Sequence, residues 1–165
     1  MSDFEFLLTY IEAIPEESRE GRAHESVQYR YVLNTELDKS KVESLQDQYK
    51  ITLPNELIDL YSFCYGCQLN EHEILKLDQI AEIKVSLLSL YGDLWQDKYL
   101  PFSLHHGVGD YVVFDLSDSN ATGVYRVVDA FHEQTPEEWK PICFGIETWL
   151  KEFIKNDCQV FWLDR

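Results

Sequence analysis

The chain has 165 residues, of which 45% are hydrophobic and 14% aromatic, so it is long and apolar enough to fold around a core as one domain. Thirty acidic residues against 14 basic ones give a formal net charge of −16. This excess disfavours nucleic acid as a partner, because nucleic-acid affinity rests on Lys and Arg at phosphates. It favours a basic partner, and solubility alone is the other explanation for it.

We expect neither a membrane span nor a secretory signal peptide in this sequence. No apolar run reaches the roughly 18 residues of a membrane span, and the first ten residues carry no basic residue before their apolar part. We therefore expect a cytoplasmic protein with no membrane partner. Its four cysteines are expected to be reduced and mostly buried. Cys64 and Cys67 have CxxC spacing, which leaves a redox or metal role as the alternative.

The first half of the chain shows mainly helical patterns. Apolar spacing predicts a helix over residues 3–14, and a charged loop over 16–25 and a half-buried strand over 27–33 follow. Ser40 and Glu43 have the capping-box spacing and predict the start of the next helix. Pro54 suits the first position of another, and Gly66 suits a left-handed turn after it.

The second half of the chain alternates between helix and strand patterns. Asp78 predicts the cap of a helix whose apolar positions run from Ile80 to Leu90, and a short strand is expected at 74–75. Residues 99–116 then predict a β-hairpin with a polar, exposed connection. Its second strand, 111–116, begins with an unbroken apolar run, which is typical of an inner strand covered on both faces. Alternation over 124–128 indicates another strand, and residues 146–153 form a last amphipathic helix.

The order of these elements predicts an α+β fold, with an antiparallel β-sheet and the helices packed on one side of it. The His105–His106 pair beside Asp110 invites a metal or catalytic interpretation. Adjacent strand residues point to opposite faces, however, and no complete nucleophile–base or metal-ligand set is present. Asp110 and Asp115 are better explained as a turn residue and a strand-end cap. We therefore expect no enzyme activity, no cofactor and no metal.

Several short motifs occur in a recognisable order. They are Leu53-Pro54 at a helix start, Tyr65-Gly66 at its end, Leu100-Pro101-Phe102 before a strand, Gly109-Asp110, and Asp115-Leu116. Together with the terminal helix they resemble the SUKH superfamily, in the branch named for the fungal cell-wall regulators Smi and Knr. The resemblance covers about residues 38–155. The chain departs from the family pattern at Tyr65, where Asn is usual, and at His105-His106, where small or acidic residues are common.

The resemblance implies a non-enzymatic α+β domain spanning the chain. Bacterial members are largely immunity proteins that bind and neutralise a polymorphic toxin, often a nuclease, and nuclease domains tend to be basic. A regulatory or scaffolding interaction domain is the alternative. Either way the oligomeric state stays open.

The surface expected to bind the partner includes the loops 117–123 and 135–139. We expect Trp139 to be an aromatic anchor at the centre of this surface, with burial in the core as the alternative. The candidate partner-binding residues are Asp118, Glu137, Glu138, Trp139, His106 and Asp110.

Overall fold

The computed structural model describes residues 3–19 and 30–163. In these ranges the α-helices are α1 (Glu5–Ala13), α2 (Glu16–Arg19), α3 (Lys39–Tyr49), α4 (Asn55–Phe63), α5 (Leu77–Tyr91) and α6 (Ile146–Lys155). The strands are β1 (Arg30–Leu33), β2 (Cys67–Asn70), β3 (His72–Ile74), β4 (Tyr99–His105), β5 (Asp110–Ser119), β6 (Tyr125–Ala130) and β7 (Lys140–Phe144). A 3-10 turn, Gly92–Leu94, follows α5.

The strands form one antiparallel sheet whose spatial order is the order of the chain, from β1 to β7. The predicted α+β fold with an antiparallel sheet is therefore confirmed. Strand β5 pairs with β4 on one side and β6 on the other. The prediction of an inner strand over 111–116 is confirmed too, although the strand is longer and continues to Ser119.

The larger core lies between one face of the sheet and the helices. Phe102 and Phe114 are fully buried on this face, and Trp149 of α6 meets the Phe102 ring edge-on at 5.6 Å. Leu150 and Phe153 continue the buried stripe of α6, as the helical spacing predicts. The remaining buried side chains come mainly from α1, α4 and the first half of α5.

The opposite face of the sheet is covered as well. Val113 points away from its neighbours Val112 and Phe114, because successive strand residues face opposite sides. It is buried in a second cluster with Leu87, Trp95 and Trp139. The prediction that the helices pack on one side is wrong, because the second half of α5 and the segment after it fold over the other side.

Helix ends differ in detail from the sequence-based expectations. Helix α3 is capped by Asp38, whose carboxylate accepts the backbone N–H of Ser40, so the capping box on Ser40 is wrong. Pro54 is the N-cap of α4 rather than its first residue. Gly66 has the predicted positive φ, and a Cβ there would lie 2.9 Å from the Ile74 carbonyl oxygen. Leu90 is 67% exposed and does not belong to the buried stripe of α5.

Two strands, β2 and β7, have no counterpart in the expectations from sequence. The charged segment after Pro15 begins with the short helix α2 rather than with a loop. The predicted strand over 27–33 is described only from Arg30, and Val27 lies outside the described residues. Within the described part of the chain, no helix is long and apolar enough to span a membrane.

The cysteines are free thiols, and Cys64, Cys67 and Cys158 are buried. A hydrogen bond with Cys64 and burial raise the pKa of the Cys67 thiol well above its usual value. Burial likewise raises the pKa of Cys143 to about 12. A reactive thiol needs a lowered pKa, so these environments do not favour a redox role for the CxxC pair.

Candidate functional site

Polar side chains gather where the hairpin between β4 and β5 turns. His72 of β3 pairs across the sheet with His105 of β4, and His105 pairs with Asp110 of β5. Residues paired directly across antiparallel strands point to the same face. The register therefore places these three side chains in one row, which His132 extends just after β6. We call the residues His72, His105, Asp110 and His132 the histidine row.

Carboxylates pair with the histidines at this end of the sheet. His105 Nε2 lies 2.8 Å from Glu71 Oε2, and the neighbouring His106 Nε2 lies 2.7 Å from Glu73 Oε2. Asp110 Oδ1 accepts the backbone N–H of His132 at 3.0 Å and lies 2.6 Å from His132 Nδ1. These contacts fix the hairpin connection to β3 and the β6–β7 connection to β5.

His72 differs from His105, His106 and His132 because it is buried and its ring nitrogens have no described hydrogen-bond partner. Its side chain stacks on His105 at 4.2 Å between ring centroids and packs against Phe153 and Trp162. The residue is 2% exposed, and neither ring nitrogen has a hydrogen-bond partner among the described residues. Burial, followed by the charges of His105 and His106, lowers the pKa of His72 to about 3. The imidazole is therefore neutral at physiological pH.

The histidine row forms part of the wall of a cleft of about 310 Å³. The C-terminal segment closes the cleft on another side through Val160, Trp162 and Leu163. The remaining lining residues are Val108, Tyr111, Val112, Asp129, Phe131 and Glu133. A smaller hollow of about 210 Å³ adjoins it and shares Asp129, Phe131, Trp162 and Leu163.

The lining of the cleft combines carboxylates, histidines and aromatic rings. His132 and Asp110 resemble the base and orienting carboxylate of a hydrolase, but no Ser, Thr, Cys or Lys is among the residues that line the cleft. Nor does any group of three or more His, Cys, Asp or Glu within residues 3–19 and 30–163 have the arrangement to hold a metal ion. The carboxylates, the neutral His72 ring and the aromatic rings can bind a cationic or hydrogen-bonding group.

Two of the six predicted partner-binding residues lie at this site. Asp110 belongs to the histidine row, and His106 is exposed beside it. Asp118 lies near the other end of β5, roughly 26 Å along the strand from Asp110. There it pairs with Arg126 Nε at 2.9 Å. The structure therefore does not bring Asp118 together with Asp110.

The segment 135–139 folds under the second face of the sheet. Glu137 and Glu138 are exposed, and Glu138 accepts the backbone N–H and hydroxyl of Thr135, as expected for a capped turn. Trp139 is only 7% exposed and packs against Tyr91, Trp95 and Tyr99. An exposed anchor is incompatible with this burial, so the prediction for Trp139 is corrected to its alternative, a core position.

Sequence reasoning missed His72, His132 and the carboxylates Glu71 and Glu73. These residues are far in sequence from their partners: 33 positions separate His72 from His105, and 22 separate His132 from Asp110. Only the register of the strands brings the side chains of the histidine row together. A slip of one residue would turn each side chain of a strand to the other face of the sheet. The one local signal was His72 itself, in the alternating segment before Ile74.

The sequence matches a known protein family. Residues 36–152 match the SMI1 / KNR4 family (SUKH-1), which is more than half of the chain. The chain belongs to the SMI1 / KNR4 family. No curated protein matches its sequence significantly. The SMI1 / KNR4 match contains the whole histidine row, whereas the wall of the cleft formed by residues 160–163 lies beyond it.

Proposed function

We propose that this chain is an immunity protein that binds a cognate polymorphic toxin and neutralises it by non-catalytic contact. The expected target is a basic nuclease domain. Membership of the SMI1 / KNR4 family carries the proposal, because the bacterial proteins that the family motifs resemble are largely immunity proteins. A regulatory or scaffolding interaction domain is the alternative.

The charge of the molecule supports a basic target. The formal net charge is −16, and acidic side chains outnumber basic ones by 30 to 14. A field of this sign attracts a basic domain and speeds its encounter with the protein. It also resembles the phosphate backbone in sign, so the protein can compete with nucleic acid for the same basic surface.

The histidine row supplies a second argument. The cleft behind it combines carboxylates with aromatic walls, and its lining includes no Lys or Arg. Interfaces concentrate binding energy in partly apolar pockets that exclude water around a few anchors. A cleft of this composition suits an anchor from a basic partner better than one from an acidic partner.

The test is stoichiometric inhibition of a candidate toxin. The candidate is the C-terminal domain of any large secreted protein encoded beside the gene for this chain. We expect the purified chain to form a 1:1 complex with that domain and to abolish its nuclease activity at equal concentration. Co-expression should rescue the growth of a bacterial host that the domain alone kills.

Polyglutamate at matched total charge serves as the control for unspecific electrostatic inhibition. Equal inhibition by polyglutamate would contradict specific neutralisation. A complex that forms without inhibition would contradict the immunity role and support the regulatory alternative. Absence of a complex with the neighbouring domain would contradict the proposal for that target.

A further inference from the structure

We propose that the cleft at the histidine row binds an arginine side chain of the partner protein. This inference rests on the proposed function, since it names the chemical group through which a basic partner is held. Three observations support it. They are the buried His72 ring without described hydrogen bonds, the carboxylates in the lining, and the aromatic and aliphatic walls of the cleft.

His72 is the first observation. Buried polar atoms are nearly always hydrogen-bonded, yet both ring nitrogens of His72 lack a partner in the described part of the chain. A neutral imidazole keeps one nitrogen as an acceptor and one as a donor. The acceptor can be satisfied by an N–H group that enters the cleft. Trp162 Nε1 is also buried without a described partner, but it is a donor and sets no preference for a cation.

The charges of the lining are the second observation. Asp110, Asp129 and Glu133 contribute carboxylates to the cleft, and the lining includes no Lys or Arg. Both bonds from His132 reach Oδ1 of Asp110, which leaves Oδ2 as an acceptor. Glu133 stands at the rim with a side chain that is 71% exposed. An anion is therefore repelled from the cleft, and a cation is attracted.

The walls are the third observation. Phe131 and Trp162 supply aromatic surface, while Val108 and Val160 add aliphatic surface. An arginine side chain matches this combination, because its aliphatic stem packs on apolar walls and its planar guanidinium stacks on aromatic rings. A lysine ammonium is more strongly hydrated and lacks the planar face. The cleft volume of about 310 Å³ has room for one arginine side chain and is at the small end of the range for ligand pockets.

The first experiment needs no partner. The whole chain is titrated with N-acetyl-arginine-amide at constant ionic strength, and binding is followed by NMR. We expect saturable shifts of the Val108 and Val160 amides and of the Trp162 indole N–H, with a dissociation constant on the order of 1–10 mM. N-acetyl-citrulline-amide, which has the same shape without the charge, should bind at least about tenfold more weakly.

Two substitutions locate the binding. Asp110→Asn keeps the shape and an acceptor for His132 but removes the charge, and it should weaken the arginine probe by about tenfold. Asp118→Asn is the matched control at the other end of β5 and should leave the affinity unchanged. Val108→Trp, on the exposed connection, should fill the cleft and abolish the shifts, whereas Val85→Trp on the exposed side of α5 should not. Amide spectra of each variant report whether the fold is retained.

Several outcomes would overturn the inference. They are equal binding of the citrulline probe, equal or tighter binding of N-acetyl-lysine-amide, absence of saturable shifts, and an unchanged affinity in folded Val108→Trp protein.

The inhibition assay separates this inference from the proposed function. If the wild-type chain inhibits its target and Val108→Trp weakens that inhibition at least about tenfold, the inference is supported. If Val108→Trp inhibits as well as the wild type, the cleft is not the contact and the immunity role stands. If the arginine probe binds but no toxin domain is inhibited, the cleft chemistry stands and the proposed function fails.

Discussion

At the scale of single residues, His72 couples the stability of the fold to pH. Its pKa is about 3 in the folded protein, against 6.5 for an ordinary histidine. Between these values the unfolded chain binds the proton and the folded chain does not. Stability therefore rises with pH in this window and is lost as the pH falls below about 6.5.

The loss is large enough to measure. Between pH 7.5 and 5.0 we expect His72 to lower the free energy of unfolding by about 2 kcal/mol, at 1.36 kcal/mol for each pKa unit of linkage. His72→Phe should remove this part of the pH dependence. Urea unfolding of the wild type and the variant at both pH values gives the difference in slope.

His132→Gln is the control, since His132 is exposed and is not among the groups whose charges lower the pKa of His72. Groups other than His72 also contribute to the pH dependence of the free energy of unfolding. Only the difference in that dependence between the wild type and His72→Phe is therefore diagnostic. Equal pH slopes for the wild type and His72→Phe would show that His72 is protonated in the folded protein at pH 5.0.

At the scale of elements, β5 is covered on both faces. Phe114→Ala should reduce the free energy of unfolding by about 3–5 kcal/mol, because it opens a cavity in the larger core. Val113→Ala, on the opposite face, should cost about 2 kcal/mol through the loss of two buried methyl groups. Denaturant unfolding measures both.

Val32→Ala on β1 is the matched control, because Val32 is 38% exposed in a strand. It should cost less than about 1 kcal/mol. A cost for Val113→Ala no greater than that for Val32→Ala would mean that the second face is not packed in solution.

The start of α6 depends on Gly145. This N-cap has φ 83° and ψ 146°, a backbone conformation that is almost confined to glycine. An added Cβ would also lie 2.6 Å from Glu56 Oε1 and 2.8 Å from Val124 Cγ1. We expect Gly145→Ala to cost more than about 1 kcal/mol in the free energy of unfolding.

A double-mutant cycle with Glu56→Ala separates the backbone strain from the contact. If the contact contributes, Gly145→Ala should cost at least about 0.5 kcal/mol less in the Glu56→Ala background than in the wild type. Strict additivity would assign the whole cost to the backbone and to Val124.

The elements that could be predicted from sequence have strong local patterns. The apolar stripe of α6 and the apolar run of β5 each follow one periodicity, and both elements are where the pattern indicates. Strand β2, with sequence CQLN, is too short and polar to show alternation above background. Strand β7 contains Pro141, which argues against a strand except at an edge or bulge, and β7 is at the edge of the sheet next to a bulge.

The candidate site was predictable only in part. Asp110 and His106 stood out because they flank the glycines of the hairpin. His72 and His132 did not, because their proximity depends on the register of three strand pairs. Trp139 could not be placed from sequence for a different reason. Tryptophan is favoured at the centres of interfaces and is also common in cores, so its identity does not separate the two. Only the path of residues 131–139 shows that this one is in the core.

At the scale of the whole molecule, the net charge of −16 should govern the encounter with a basic partner. Raising the salt from 50 to 500 mM shortens the Debye length about threefold. We expect the association rate constant with the cognate domain to fall at least about tenfold over this range, with little change in the dissociation rate constant. Stopped-flow or surface kinetics measures both constants.

Glu137→Gln and Glu138→Gln test how much of this electrostatic acceleration comes from the segment 135–139. Both side chains are exposed. Each should lower the association rate at low salt and leave the dissociation rate nearly unchanged. An association rate that does not depend on salt would contradict the electrostatic part of the proposed function.

The position of α6 in the chain has a consequence for biosynthesis. Every strand pairs with its neighbour in sequence, so the sheet can assemble in the order in which the ribosome supplies it. The large side chains that cover Phe102 on the larger core face, above all Trp149, come from residues 146–155. Because α6 follows β7 in the chain, the growing sheet emerges with that face uncovered until residues 146–155 have also been synthesised. Chaperone binding is therefore most useful in the interval between the emergence of the sheet and the emergence of α6.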